Sequence, residues 1–444
     1  MSQDFIRVAD GSPYLVDGAG APFIPVGLNL CFPRFVQDPA EGLSRMQGWI
    51  SRLADAGGNV ARIFLGDALL EIEPERCGVF SSAAEERLAA FIAHAARCRV
   101  RLILVLEHFR GLHAERRNAP AFPGAARFDR PAYLPEAGGP CGEMAEVLDT
   151  PAGRALYQRR LEHLATRFGT EPAILAWELW NEMNCVRGGD FVGWTKAMVD
   201  VVRRLCPRHL VMQSWGSLDG TATIEQQRAW AALPGLDVVQ VHRYLDPGAQ
   251  LPICQSAMDV LSADAITALR PATSRPILLG EGGAVEAHHA GPWKLYEADC
   301  AGSLLHDVLF APFAAGSCGS GLIWHWDFYV ERHDLWYHHG RFARAVAGFD
   351  PRGCRPERRD QAGLHVHALC GPQRAWMWVR DLACDWRSEI EALRPAPLRS
   401  GLRVDLGGLP GPWRVYDPWQ DRWSDLPASG VLPDFRRSCV LRCG

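Results

Sequence analysis

At 444 residues the chain is long enough for two domains, and its 48% hydrophobic residues can form a large buried core. Together with 22% charged residues, this composition excludes a disordered chain. The formal net charge is -4 and neither sign forms long runs, which argues against nucleic acid or an anionic membrane as a partner. We therefore expect a neutral partner.

The cysteines and the first residues bear on location. The opening sequence, MSQDFIRVADGSPY, lacks the basic and apolar regions of a secretory signal, and no apolar run approaches the roughly 18 residues of a membrane span. The 14 cysteines are scattered from Cys31 to Cys443 without paired short spacings. This favours reduced thiols in the core over a disulfide framework or a zinc site. We therefore expect a cytoplasmic protein.

In chain order, residues 5–23 have the pattern of a hairpin, after which short apolar runs alternate with longer amphipathic stretches. Such alternation is typical of βα units around a parallel sheet, and eight units predict a (β/α)8 TIM barrel. The predicted strands are 23–30, 59–65, 101–107, 173–181, 209–215, 236–242, 276–281 and 321–326. The clearest predicted helices are 43–56, 83–98, 153–168, 191–205 and 295–310.

Two segments depart from this alternation. Residues 111–150, between strands three and four, form a long segment rich in Gly, Pro and Ala, which belongs over an active site or is disordered. From residue 350 a polar, proline-containing stretch predicts a linker, and short strands between Gly, Pro and Asp turns follow it. We predict a barrel domain with its hairpin at 1–349, a linker at 350–363 and a small C-terminal β-sandwich at 364–444.

Two glutamates follow apolar strands. The sequence ILAWELWNEMN ends strand four at Asn181 and Glu182, and PILLGEGG ends strand seven at Glu281. In a (β/α)8 barrel the carboxyl ends of the strands face the active site, so strands four and seven would present both carboxylates across the barrel mouth. Either glutamate alone could simply cap a helix or pair with an arginine. A facing pair, however, is what glycoside hydrolysis requires.

These residues give the sequence its family resemblance. It resembles the retaining glycoside hydrolases of clan A, most nearly the family 5 group of cellulases and mannanases, over residues 20–345. The resemblance implies that Glu182 is the general acid/base and that Glu281 is the nucleophile. It implies a retaining β-glycoside hydrolase that acts on an oligosaccharide or glycoside through a covalent glycosyl-enzyme. No cofactor is expected.

The resemblance also assigns residues at other strand ends to substrate binding. Arg62 would keep Glu281 ionised through a charge-assisted hydrogen bond, although a buried salt bridge with another carboxylate is its structural alternative. Asn181 would donate to the sugar hydroxyl beside the anomeric carbon. Tyr244 would hydrogen-bond Glu281.

Histidines and tryptophans complete the predicted site. His108 and His242 would line the sugar subsite, with a satisfied core histidine as the alternative for each. The segment GLIWHWDFY offers Trp324 and Trp326 as a platform under the sugar. Of the two, Trp326 is preferred. Glu178, inside strand four, is expected to face the helix layer or a buried partner.

A metal site is not predicted. Adjacent histidines point in different directions, and zinc needs three or four convergent ligands with recognisable spacing. The two histidine clusters considered for this role are His288 with His289, and His333 with His338 and His339.

Several alternatives remain open at this point. The fold could belong to an inactive carbohydrate-binding protein, or to an inverting hydrolase with a wider carboxyl separation. An aldolase or isomerase would need a Schiff-base lysine or a metal at a strand end, and the barrel has only Lys196 and Lys294, both in helical patterns. Exo action on short oligosaccharides is favoured over endo-mannanase or cellulase action, because a cytoplasmic enzyme does not meet polymers. The C-terminal domain is expected to pack on the barrel; the alternative is sugar binding through Trp413, Trp419 and Trp423.

Overall fold

The computed structural model describes residues 4–34, 36, 38–108, 131–186, 188–409 and 411–444. Part of the predicted long loop, residues 111–130, lies outside these described residues. The first elements are three short antiparallel strands in the order β1-β2-β3, where the sequence predicts a hairpin. They are β1 (Arg7–Val8), β2 (Leu15–Val16) and β3 (Pro22–Phe23).

A parallel sheet of seven strands in sequence order follows and curves into a near-closed barrel. Most of these strands are buried along their whole length, as expected for a parallel sheet covered by helices. The predicted barrel is therefore confirmed. Its strands are β4 (Gly27–Asn29), β5 (Val60–Phe64), β6 (Arg101–Val105), β7 (Ile174–Glu178), β8 (Leu210–Gln213), β9 (Val238–Leu245) and β10 (Ile277–Ala284).

The predicted eighth strand, 321–326, is not a regular strand. It makes one parallel bridge, between Ile323 and Gly282, and the Ile323 carbonyl also accepts the Asn29 N–H at 3.1 Å. The segment thus joins β10 to β4 and closes the gap in the barrel. It cannot extend further because the chain enters a π-helical segment at Trp326.

Helices cover the outside of the barrel, and their starts follow from local chemistry. Side-chain oxygens of Asp38, Ser81, Thr150 and Asp190 accept first-turn N–H groups and so cap four of them. The α-helices of the described residues are α1 (Pro39–Asp55), α2 (Ser82–Cys98), α3 (Met144–Asp149), α4 (Pro151–Phe168), α5 (Phe191–Leu205), α6 (Thr221–Ala231), α7 (Met258–Thr267), α8 (Ser303–Ala314) and α9 (Tyr337–Val346).

The predicted helix 295–310 is wrong in its first half. Lys294–Glu297 is a short 3-10 turn, and α8 begins only at Ser303. The interruption lies at Gly302, whose φ of 72° is in the left-handed region that a helix cannot continue through.

The C-terminal region is an antiparallel sheet in the order β11-β12-β13-β18-β15-β16, with a separate pair β14-β17. One strand, β11, falls inside the predicted linker 350–363. Its charged residues are largely exposed, as suits an edge strand, which is why the segment looked like a linker. The strands are β11 (Arg355–Gln361), β12 (Leu364–Cys370), β13 (Ala375–Asp381), β14 (Leu398–Arg399), β15 (Arg414–Asp417), β16 (Arg422–Asp425), β17 (Phe435–Arg436) and β18 (Ser438–Cys443).

This sheet packs against the barrel through α8. Trp376 and Trp378 of β13 contact the ring of Phe310, and Arg380 forms an ion pair with Asp307 at 2.6 Å. The tryptophans considered for sugar binding are engaged in packing: Trp413 is buried in the outer apolar layer of the sheet, and Trp419 packs on His306 and Trp423 on Tyr416. These contacts favour the packing role.

Two further observations concern the whole chain. All 14 cysteines are free thiols. Over the described part of the sequence, no helix combines the length and the apolar character needed to cross a bilayer.

Candidate active site

The predicted acid/base, Glu182, lies four residues beyond the last residue of β7. Its backbone is in the left-handed region, with φ 49° and ψ 55°, and its N–H donates to the Ser214 hydroxyl at 2.9 Å. A non-glycine residue held in this region costs on the order of 1–3 kcal/mol, and such strain is concentrated at functional sites. The strained turn aims the carboxyl group into the barrel mouth.

Glu281 lies inside β10 rather than at its end, which differs from the predicted strand boundary. The pairing register with β9 shifts between Leu279 and Glu281, so Gly280 forms a bulge. The Glu281 carboxylate accepts a hydrogen bond from Arg62 Nη1 at 2.7 Å and another from the Tyr244 hydroxyl at 2.5 Å. These are the two contacts predicted for Glu281.

The structure brings the two glutamates together. His242 Nδ1 lies 2.8 Å from Glu182 Oε1 and 3.5 Å from Glu281 Oε2. One carboxylate oxygen of each glutamate and a ring nitrogen of His242 all lie within 4.8 Å of one another. Retaining glycosidases place their two carboxyl groups about 5 to 5.5 Å apart, whereas inverting ones leave about 6.5 to 9.5 Å for a water molecule. The close approach of these two oxygens fits the shorter, retaining spacing.

Arg62 satisfies both of its predicted alternatives at once. Its guanidinium, fully buried, contacts Glu281 and also forms two 2.7 Å hydrogen bonds with Glu178. The oxygen of Asn181 accepts a further bond from Arg62 Nη2 at 2.6 Å. That contact engages the amide oxygen and leaves the Asn181 NH2 group as the donor for a sugar hydroxyl. Glu178 thus has the buried partner expected of it, although it faces the barrel interior.

Burial raises the pKa of both candidate carboxyl groups. For Glu281, His242 and Arg62 oppose the effect of burial, and the neighbouring Glu182 reinforces it. For Glu182, electrostatic interactions with His289 and Arg62 oppose the effect of burial. Of the pair, only Glu281 accepts hydrogen bonds from a cation and a phenol, both of which stabilise the ionised form. Glu281 is therefore suited to remain a carboxylate while Glu182 holds a proton.

The tryptophan preferred from the sequence is not the one that faces the site. Trp326 is fully buried between Phe32 and Trp49, with ring centroids 5.3 and 6.4 Å away. Trp324 is only partly buried and lies 5.8 Å from Phe64, whose ring also contacts the predicted subsite residue His108. The preference for Trp326 is therefore corrected to Trp324. In a regular strand these two residues would share one face, but regular pairing ends near Ile323 and the chain turns into a π-helical segment at Trp326.

This correction gives a testable difference. Replacing Trp324 with alanine should raise the KM for a glycoside substrate by about tenfold, because a sugar-stacking surface is removed while the fold is kept. Trp326→Ala should instead lower the free energy of unfolding by about 3–5 kcal/mol through a core cavity. Steady-state kinetics and denaturant unfolding of both variants check this. An unchanged KM in Trp324→Ala would contradict the assignment.

Two groups of side chains bring three possible metal ligands together among the described residues. One is the site itself, Glu182, His242 and Glu281; the other is Asp259, His365 and His367, between α7 and β12. In the second group both histidines already hydrogen-bond Asp259 Oδ2, at 2.6 and 3.1 Å. Arg358 also donates to His365, so positive charge faces this group.

The histidine clusters considered for a metal are dispersed. His338 and His339 contact separate backbone carbonyls. His289 instead packs edge-on against Tyr244 at 5.2 Å and lies 3.5 Å from Asp246, so it belongs to the rim of the site.

Sequence reasoning missed two buried polar residues that complete the site. Asn29, at the end of β4, accepts from Arg62 at 3.1 Å and donates to three backbone carbonyls that include Gly280. Gln240 lies two residues before His242 on β9 and donates to Glu178 at 2.7 Å. The signal for Gln240 was its position: residues 240, 242 and 244 share one face of the strand.

A (β/α)8 barrel with such a carboxyl pair at strands four and seven, and an arginine and a tyrosine on the second glutamate, has the site architecture of clan A glycoside hydrolases. Comparison with known proteins confirms the resemblance to family 5. No protein-family model matches the chain.

Among curated proteins, the chain is 25% identical over 271 residues to "Mannan endo-1,4-beta-mannosidase 3" of Oryza sativa subsp. japonica. The alignment covers 53% of this chain and 54% of that protein, so the chain spans about half the length of this relative. Among solved structures, a family 5 glycoside hydrolase from Bacteroides vulgatus matches 99% of this chain and 93% of its own, with a TM-score of 0.59 and 13% identity. A family 5 mannosidase from Rhizomucor miehei matches 73% of this chain and 86% of its own, with a TM-score of 0.51 and 16% identity.

Proposed function

We propose that the protein is a retaining β-glycoside hydrolase that acts on β-mannosides. The observation that carries the proposal is the pair Glu182 and Glu281, of which one carboxylate oxygen each lies within 4.8 Å of the other beside His242. Glu281 would attack the anomeric carbon while Glu182 protonates the leaving oxygen, which gives a covalent glycosyl-enzyme. Glu182, now a carboxylate, would then take a proton from the water that hydrolyses this intermediate. The mannoside preference rests on the names of the similar proteins.

Each contact around the pair has a role in this scheme. Arg62 and Tyr244 aim the Glu281 carboxylate and keep it ionised. Asn181 donates to the sugar hydroxyl beside the anomeric carbon, a bond that strengthens as positive charge develops there. Trp324 supplies the partly exposed aromatic surface for the sugar. The presence of both carboxyl groups in one contact network argues against an inactive binding protein.

A panel of aryl β-glycosides tests the activity and the sugar preference. Mannoside, glucoside, galactoside, xyloside and furanosides would be assayed with the wild type and with Glu281→Ala. We expect the β-mannoside to be hydrolysed with the highest kcat/KM and the variant to be inactive on all of them. Proton NMR of the first product formed should detect the β-anomer. An α-anomer would make the enzyme inverting, and no turnover of any glycoside would refute the proposal.

We further propose exo action on short oligosaccharides, with endo action on mannan as the second candidate. The proposal rests on the rim residues His289 and Asp246, which stand beside the site. Digestion of mannohexaose labelled at its reducing end separates the two. Exo action releases mannose from the other end and shortens the labelled chain by one sugar at a time, whereas endo action yields short labelled reducing-end fragments and unlabelled oligosaccharides from the start.

A further inference from the structure

A chain of buried polar groups leads from Arg62 to Glu182. Glu178 accepts two hydrogen bonds from Arg62 and a third from Gln240 Nε2 at 2.7 Å. Because Glu178 is held as a carboxylate, it can only accept, and the Gln240 amide must turn its NH2 group toward it. The other end of that amide, Oε1, then faces His242 Nε2 at 3.3 Å.

This arrangement decides which nitrogen of His242 carries the proton. An amide oxygen cannot donate, so the contact is favourable only when His242 Nε2 is protonated. Burial lowers the pKa of His242 to about 4, so the ring carries a single proton near neutral pH. His242 Nδ1 is then an acceptor, and the group 2.8 Å away, Glu182, must supply the hydrogen.

We propose that Gln240 is a positioning residue that holds His242 in the Nε2–H tautomer, so that His242 Nδ1 accepts a hydrogen bond from protonated Glu182. The inference rests on the proposed function, in which Glu182 is the acid/base. In the first step, formation of the glycosyl-enzyme, this hydrogen bond keeps the proton on Glu182. In the second step, hydrolysis of the glycosyl-enzyme, the lone pair of Nδ1 faces the Glu182 carboxylate. This makes the Glu182 carboxylate a stronger base toward water.

The fold makes specific room for this contact. A Cβ atom at residue 280 would lie 1.9 Å from Gln240 Oε1, so only glycine lets the Gln240 side chain reach between the strands. The bulge that Gly280 forms in β10 therefore has two effects: it sets the position of Glu281, and it admits the side chain that orients His242.

Other charges face His242 and bear on its protonation. Glu178 and Glu182 approach from the β7 side, Glu281 from β10 and Arg62 from β5, while His289 is on the rim. The carboxylate of Glu281, 3.5 Å from Nδ1, favours a proton on Nδ1, whereas Arg62 disfavours a second proton on the ring. The Gln240 contact favours a proton on the other nitrogen, Nε2, and so opposes the effect of Glu281 on Nδ1.

The tautomer can be measured without any assay of activity. In protein labelled with 15N-histidine, the His242 signals are those lost in His242→Gln. Near neutral pH we expect Nε2 to have the chemical shift of a protonated nitrogen and Nδ1 that of an unprotonated one. In Gln240→Met, which keeps the length of the side chain but has no amide, the proton should move toward Nδ1. A proton on Nδ1 in the wild type would overturn the proposal even if the enzyme is an active mannosidase.

Kinetics give a second readout. In Gln240→Met, the Nδ1–H group of His242 would donate to Glu182. This contact stabilises the ionised form of Glu182, so its pKa should fall. The basic limb of kcat/KM against pH, which requires Glu182 to be protonated, should move down by about one pH unit, the equivalent of a tenfold change. With a dinitrophenyl β-mannoside, whose leaving group needs no proton, the basic limb for formation of the glycosyl-enzyme should not change.

A matched control separates positioning from packing. Gln213 is another buried glutamine, on the neighbouring strand β8, and its oxygen accepts from Thr195 at 3.1 Å. Gln213→Met should leave the pH profile and the His242 signals unchanged. Equal displacement of the basic limb in both variants, or an equal effect of Gln240→Met on both leaving groups, would contradict a specific role for Gln240. If the wild type hydrolyses no glycoside, the proposed function fails and the NMR result alone decides the tautomer.

Discussion

Replacing Glu281 with alanine is expected to reduce turnover of a β-mannoside by about 10⁴-fold or more, because it removes the group that forms the covalent bond to the anomeric carbon. Glu281 receives hydrogen bonds from Arg62 and Tyr244, which aim an ionised oxygen into the barrel mouth. Initial rates with a 4-nitrophenyl β-mannoside measure the loss. Glu225→Ala, which changes an exposed glutamate paired with Arg228 on α6, should leave the rate unchanged.

Azide distinguishes the roles of the two glutamates. In Glu182→Ala, a substrate with a very acidic leaving group should still form the glycosyl-enzyme, but hydrolysis of that intermediate should be slow. Azide can enter the space left by the side chain and attack the intermediate, which gives a β-mannosyl azide of retained configuration. In Glu281→Ala no intermediate forms, so an azide product arises by single displacement and is inverted. The same product from both variants, or rescue of neither, would refute the assigned roles.

Arg62→Ala is expected to be the substitution in the site with the largest effect on stability. It would leave Glu178 and Glu281, both buried, without their cation, and the removal of one partner from a buried ion pair costs about 3–5 kcal/mol. That is a large fraction of the 5–15 kcal/mol that is typical of folded proteins. Chemical denaturation of the wild type and the variant measures the difference.

The same substitution should also change the pH dependence of activity. Arg62 opposes the rise in the Glu281 pKa, so its removal raises that pKa further. The nucleophile must be ionised, and the acidic limb of kcat/KM should therefore move to higher pH. In Arg62→Ala/Glu178→Gln one of the stranded charges is gone, so part of the stability should return while the activity stays low.

Arg160 provides a matched control. It is a buried arginine on α4, outside the site, that forms an ion pair with Glu71. Arg160→Ala should lower stability but should not displace the acidic limb of the pH profile. If Arg62→Ala unfolds with the same free energy as the wild type, the ion pair with Glu178 contributes little and the guanidinium acts mainly on Glu281.

The sequence alone determined the barrel and the positions of both glutamates. Hydrophobic patterns are local, and in a parallel barrel every strand delivers its carboxyl end to the same face, so strand order is enough to place Glu182 and Glu281 together. His242 and Tyr244 on β9 were likewise singled out, whereas Gln240, on the same face of that strand, was not. The contact of Arg62 with Glu281 was predicted from the family resemblance rather than from a local pattern.

Only the tertiary structure decided the finer arrangement. Two features depended on backbone irregularities. The bulge at Gly280 places Gln240 against His242. The end of regular pairing at Ile323 leaves Trp324 rather than Trp326 at the site. The sharing of Arg62 between Glu178 and Glu281 depended on three strands far apart in sequence. Hydrogen-bond direction and burial are properties of such assembled neighbours, and no local pattern of residues records them.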